Sequence, residues 1–157
     1  MKISKLLIVT IIMSFGAVSA LAHADKKDKS PQGKAAKYRH NTFNMVGYHF
    51  GPLGGMIKGK IDYDKAMFAK HASSLATLAT LAPNGFEVKG KAKGSRAKKG
   101  IWENKTEFDK TMQAFIVSTD ALAKVSSKGD MATIKPAFAE VADSCKTCHK
   151  KYRSKKK

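Results

Sequence analysis

The residues richest in chemistry lie near the end of the chain, in the run Cys145-Lys146-Thr147-Cys148-His149. On a helix, residues three apart share a face, so both thiols can reach the two vinyl groups of one haem and form thioethers. His149, beside the second cysteine and four residues after the first, can swing under the ring centre and ligate iron. This is the spacing of c-type haem attachment. Other readings need a context that the chain lacks. A zinc site needs further ligands from a second cluster, a thioredoxin-like dithiol needs a βαβ unit, and a helical disulfide would close only a tiny loop. The pattern predicts one covalent haem c, with His149 as metal ligand.

Such a motif needs a rigid helix beneath it. Ile134, Phe138, Val141, Cys145, Cys148 and Tyr152 recur at steps of four, three, four, three and four, so one face serves both the core and the cofactor. Thr133 as N-cap puts Pro136 harmlessly in the first turn. Upstream, Ile101, Phe108, Met112, Phe115, Thr119 and Leu122 form a second stripe that ends at Gly129. Asp62 is expected to cap a third, through Phe68, Ala72, Leu75, Leu78 and Leu81, closed by Pro83-Asn84-Gly85. Ser30 and Pro31 fit the start of the first helix, and Gly51-Pro52 with Gly54 and Gly55 is expected to kink it. Four helical stretches and no alternating strand predict an all-α, antiparallel four-helix bundle with its haem on the last helix. Between the second and third stretches, Gly85 to Gly100 holds four glycines and six cations and reads as a long loop.

The first 24 residues have a basic start, an apolar run and a small-residue Ala22-His23-Ala24 site, the order of a secretory signal peptide. Removing them from 157 leaves 133 residues, enough for one domain over 25–157, and predicts a periplasmic protein. The formal charge of +18 falls only to +16 with the loss of Lys2 and Lys5. No nucleic-acid-binding motif accompanies it. The cations crowd the 89–99 loop and the 150–157 tail, where they read either as solvated surface or as a field that steers an acidic redox partner.

The pairs Tyr38-Arg39, Phe50-Gly51, Lys58-Gly59, Tyr63-Asp64 and Ile101-Trp102, with Cys145 through Arg153, resemble the cytochrome c′ family over essentially the whole mature chain. The resemblance implies a homodimer packed through the first two helices and a high-spin, five-coordinate haem. It places Phe43 at the distal position, where six-coordinate relatives have methionine. It sets Arg39 near a propionate, His40 at the haem edge, Phe86 beside the pocket and Arg153 on the proximal face. For Phe86, core packing is an equal alternative; for Arg39, solvent exposure, and for Arg153, membership of the basic tail. The chain departs from the family where some members have tryptophan after the second helix and it has Pro83.

Phe43 has no lone pair, so the sixth position of the iron should lack a protein ligand. Met45 lies roughly 200° further round the helix and faces away. The resemblance and the apolar distal residue together imply a binder of small diatomic gases, nitric oxide or carbon monoxide, and not an enzyme, because no acid–base pair flanks the site. The alternative is an electron carrier that docks an acidic partner.

Overall fold

The computed structural model describes residues 28–155; the expected signal peptide lies outside the described residues. The Ser30 hydroxyl accepts from Gly33 N at 3.0 Å, Pro31 takes the first helical position, and α1 runs Pro31–Ile57. Gly51-Pro52, where a bend or break was expected, does not interrupt it. Pro52 deprives only the Tyr48 carbonyl of its partner, and Tyr48 is 72% exposed, so water can substitute. The stop comes later, at Gly59 (φ +65), where Lys60 N bonds Gly55 O at 2.9 Å and Gly59 N bonds Met56 O at 3.2 Å. That is a Schellman closure, which requires the left-handed conformation glycine adopts freely.

Helix α2 spans Lys65–Leu81, and its cap is Asp64, not Asp62: the Asp64 carboxylate accepts from Met67 N at 2.9 Å. This start buries Phe68, Ala72, Leu75, Leu78 and Ala79 and leaves Leu81 exposed. A 3-10 turn, Ala82–Phe86, follows. The stripe that begins at Ile101 is split. Ile101 is buried in a single turn, α3 (Gly100–Glu103), and the Asn104 side chain then caps α4 (Lys105–Ser126), its Oδ1 accepting from Glu107 N. Helix α5 spans Met131–Tyr152 and starts at Asp130, whose carboxylate accepts from Ala132 N at 2.9 Å. Thr133 is therefore not the cap; its hydroxyl donates to Asp130 O. Pro136 sits inside the helix, where the carbonyl it orphans belongs to exposed Ala132. Among the described residues no helix is long and apolar enough to cross a membrane.

The four long helices form the expected antiparallel bundle. α1 packs on α2, α2 on α4 and α4 on α5, around Leu53, Phe68, Leu75, Phe108, Leu122, Ile134 and Val141. The α1–α5 seam is different. The two helices meet where Phe50 stacks on Phe138, ring centroids 4.8 Å apart at 8°, and beyond that contact they leave a cleft.

Asp64→Ala should cost about 1 kcal/mol of stability and Asp62→Ala less than about 0.5 kcal/mol, as measured by denaturant unfolding. Equal losses would return the cap to the earlier aspartate.

Candidate functional site

The cleft between α1 and α5 has a volume of about 910 Å³, within the range of small-molecule and cofactor sites. Every residue singled out from the sequence lines it: Arg39, His40, Phe43, Phe86, Cys145, Cys148, His149 and Arg153. They come from three parts of the chain: α1, the 3-10 turn, and α5 with its C-cap. Cys145 and Cys148 extend the buried Ile134-Phe138-Val141 stripe to the cleft wall, where both are half-buried. Burial pushes the Cys148 thiol up to about 11, with Cys145 adding to the rise, and lifts Cys145 as well. Both therefore remain neutral S–H groups at neutral pH. His149 is exposed on the last turn. Desolvation by its surroundings, then the charges of Arg153 and Arg96, hold its imidazole below the ordinary range, which keeps a lone pair free for a metal.

Aromatic side chains floor the cleft in a continuous series. Phe43 meets Phe86 edge-on at 6.2 Å, Phe86 tilts against Phe108 at 4.7 Å, and Phe108 meets Tyr152 edge-on at 5.1 Å. Phe86 thus packs in the core and lines the cleft at once. Arg39 is buried, not a solvent-exposed helical arginine. Its guanidinium donates to Gly85 O at 2.6 Å and to Ser95 Oγ at 3.3 Å, and it lies 5.2 Å from the Phe86 ring centroid and 5.7 Å from that of Trp102. Trp102 in turn donates its indole N–H to Phe86 O at 3.0 Å. Gly85 is required here, since a Cβ would come within 2.5 Å of Arg39 Cγ and 3.5 Å of its backbone. His40 sits exposed at the rim, its ring 3.0 Å from Asn44 Nδ2. Met45 is 52% exposed and does not line the cleft.

The lysine-rich loop has a role that its composition did not reveal. Ala97 pairs with Arg153 in an isolated antiparallel bridge. Lys98 N donates to Tyr152 O and Ser154 N to Arg96 O, each at 2.9 Å. This strap brings Lys93, Ser95 and Arg96 to the cleft mouth. In the sequence their only signal is Ala97, a small apolar residue among cations. Tyr152 was legible as the next step of the α5 stripe; its buried hydroxyl has no partner. The cleft thus offers two thiols one helical turn apart, an adjacent imidazole, an apolar aromatic floor and a cationic rim. That donor set fits a flat apolar macrocycle with acidic edge groups, attached through sulfur.

The family model for Cytochrome C′ matches residues 34–153. The chain belongs to the cytochrome c′ family. It is 32% identical over 124 residues to cytochrome c′ of Rubrivivax gelatinosus, covering 78% of this chain and 96% of that one. It superposes on cytochrome c prime from Shewanella frigidimarina with a TM-score of 0.78 at 34% identity, over 82% of this chain and 100% of the other. A nitric oxide complex of a variant of cytochrome c prime from Alcaligenes xylosoxidans gives a TM-score of 0.75 at 32% identity, again over 82% and 100%; a variant of that protein has also been solved with carbon monoxide bound. Cytochromes c′ carry covalently attached haem c, and the cofactor of this cytochrome c′ is haem c.

Arg39→Met keeps the length of the side chain but strips its donors and leaves the buried Gly85 carbonyl unpaired. It should destabilise the protein by about 1–3 kcal/mol in denaturant unfolding, and an unchanged midpoint would remove Arg39 from the framework of the site.

Proposed function

We propose that this cytochrome c′ binds small uncharged diatomic ligands, nitric oxide above all, at an iron ligated by His149 alone among its side chains. Haem c, which Cys145 and Cys148 would hold, would supply the iron that takes such a ligand. The observation that carries the reading is the make-up of the α1 wall. Phe43 faces the cleft without a lone pair, Met45 points out of it, and His40 is engaged with Asn44 at the rim. An apolar wall gives no hydrogen bond to a polar ligand, and the bulk of Phe43 opposes any ligand that cannot displace it. The solved relatives with nitric oxide and carbon monoxide support the same ligand class.

The other residues hold the cofactor. Arg39 uses two of its five N–H donors on Gly85 and Ser95 and keeps the rest for a propionate. Phe86 packs against the ring, and Arg153 sets a positive charge beside His149. No catalytic residue is assigned. The reading includes cleavage after Ala24, a periplasmic location and a homodimer through α1 and α2, where Met45, Tyr48 and Met67 are exposed.

One observation favours a second reading. Arg96, Lys146, Lys150, Arg153 and Lys155 surround a shallow concavity beside His149, a field suited to guiding an acidic electron-transfer partner.

The absorption spectrum of the haem-loaded protein separates the two. Broad high-spin bands, oxidised and dithionite-reduced, are expected for an iron with no second side-chain ligand; sharp, split bands on reduction would mean that a side chain fills that position and would turn the assignment to electron carriage. Phe43→Ala should speed carbon monoxide association at least about tenfold, roughly 1.4 kcal/mol off the barrier. An unaltered stopped-flow rate would take Phe43 off the ligand path.

A further inference from the structure

Away from the haem cleft, on the side where α1 packs on α2, two histidines face each other. His49 Nδ1 and His71 Nδ1 are 3.0 Å apart, with ring centroids separated by 5.2 Å at 59°. Both are half-buried, and neither lines the cleft. Tyr48 covers the pair from outside, edge-on to His49 at 5.2 Å and 6.3 Å from His71.

We infer that His49 and His71 together form a two-imidazole site for one divalent late transition-metal ion, copper(II), nickel(II) or zinc(II), separate from the haem. The bite distance carries the inference. Two imidazole nitrogens about 2.0–2.1 Å from one ion lie roughly 2.9 Å apart at a right angle and roughly 3.4 Å apart at a tetrahedral angle. The observed 3.0 Å falls inside that range. Each side chain is anchored on a different helix, and the helices are locked together by Val46, Leu53 and Leu75 in the common core, so the donors are held in place before an ion arrives. Burial, followed by the charges of His49 and Lys70, disfavours the protonated form of His71, which leaves it neutral and able to ligate at neutral pH.

The chemistry of the pair selects the ion. Imidazole suits copper, nickel and zinc, whereas magnesium and calcium require oxygen donors. The chain is strongly cationic, which works against any ion held by charge alone and leaves the nitrogen donors as the source of affinity. Among the described residues no cluster of three or more histidine, cysteine, aspartate or glutamate side chains surrounds the pair, so the remaining donors come from outside the chain, from water or from a second copy packed on the α1–α2 face. Copper(II) should bind most tightly, as the Irving–Williams order requires.

The test uses the ferric, haem-loaded protein titrated with zinc(II) by calorimetry and with copper(II) by electron paramagnetic resonance. One ion per chain is expected, with copper(II) hyperfine structure from two nitrogens and no change in the haem absorption bands. Losing an outer-shell partner of a metal ligand already costs about 10–100-fold in affinity. Removing either ligand, in His49→Gln or His71→Gln, should therefore weaken binding by at least about 100-fold, while His40→Gln leaves it intact. Absence of saturable binding, loss in only one of the two variants, or equal loss in His40→Gln would each overturn the shared site. Unaltered haem spectra in His49→Gln and His71→Gln establish that they fold, and magnesium(II) serves as the ion that should not bind.

Discussion

A helical bundle gains stability by closing the seams between its helices, and this one keeps the seam between α1 and α5 open. Phe50 on Phe138 props it at one point, and the side chains that would otherwise interlock there line a cleft. Phe43, Phe50, Cys145 and Cys148 are consequently only partly buried, although each lies against the core cluster. Covering such apolar area is worth roughly 25 cal/mol per Å². The cofactor therefore completes the hydrophobic core as well as supplying the chemistry, and its attachment adds directly to the stability of the folded chain.

The open seam is sustained from below. Arg39 reaches beneath the cleft to the Gly85 carbonyl and Ser95, flanked by Phe86 and Trp102, so the 3-10 turn, the loop and α3 all converge on one buried cation. A buried cation tolerates little rearrangement, because each lost partner leaves charge or a carbonyl unpaired in a poorly solvating surround. The floor is thus stiffer than its aromatic composition alone would make it, and the position of Phe43 above Phe86 follows from it.

Long stripes of apolar residues made the bundle legible in the sequence, and covalent chemistry made Cys145, Cys148 and His149 legible as candidates. The resemblance at Arg39 and Phe43 pointed to two residues that line the cleft. What stayed hidden depended on choices between near-equivalent neighbours or on contacts far apart in sequence. Asp62 and Asp64 are both good caps, and the second prevails: its carboxylate accepts from Met67 N while Phe68 enters the core. Asp130 outcompetes Thr133 because the carbonyl that Pro136 orphans is on the solvent side, which removes most of the penalty expected of an internal proline. Gly51-Pro52 reads as a breaker, yet the helix ends at Gly59, where a left-handed turn can satisfy two carbonyls. The strap from Arg96 to Lys98 left almost no local trace, since its partners are the end of α5.

That strap joins main-chain pairing, Lys98 N to Tyr152 O and Ser154 N to Arg96 O about the Ala97–Arg153 bridge, to side-chain bonds from Arg96 Nε to Ser154 O, Lys98 Nζ to Lys150 O and Ser154 Oγ to Arg96 O. Main-chain pairing is indifferent to which side chains project from it. A cation outside those bonds, such as Lys93 at the cleft mouth, can therefore be exchanged for a neutral or acidic residue while the loop keeps its place, whereas Arg96 and Lys98 are tied to the end of α5. Part of the charge at the rim can thus evolve apart from the shape of the pocket, so one scaffold can be retuned for different docking partners without disturbing the aromatic floor of the cleft.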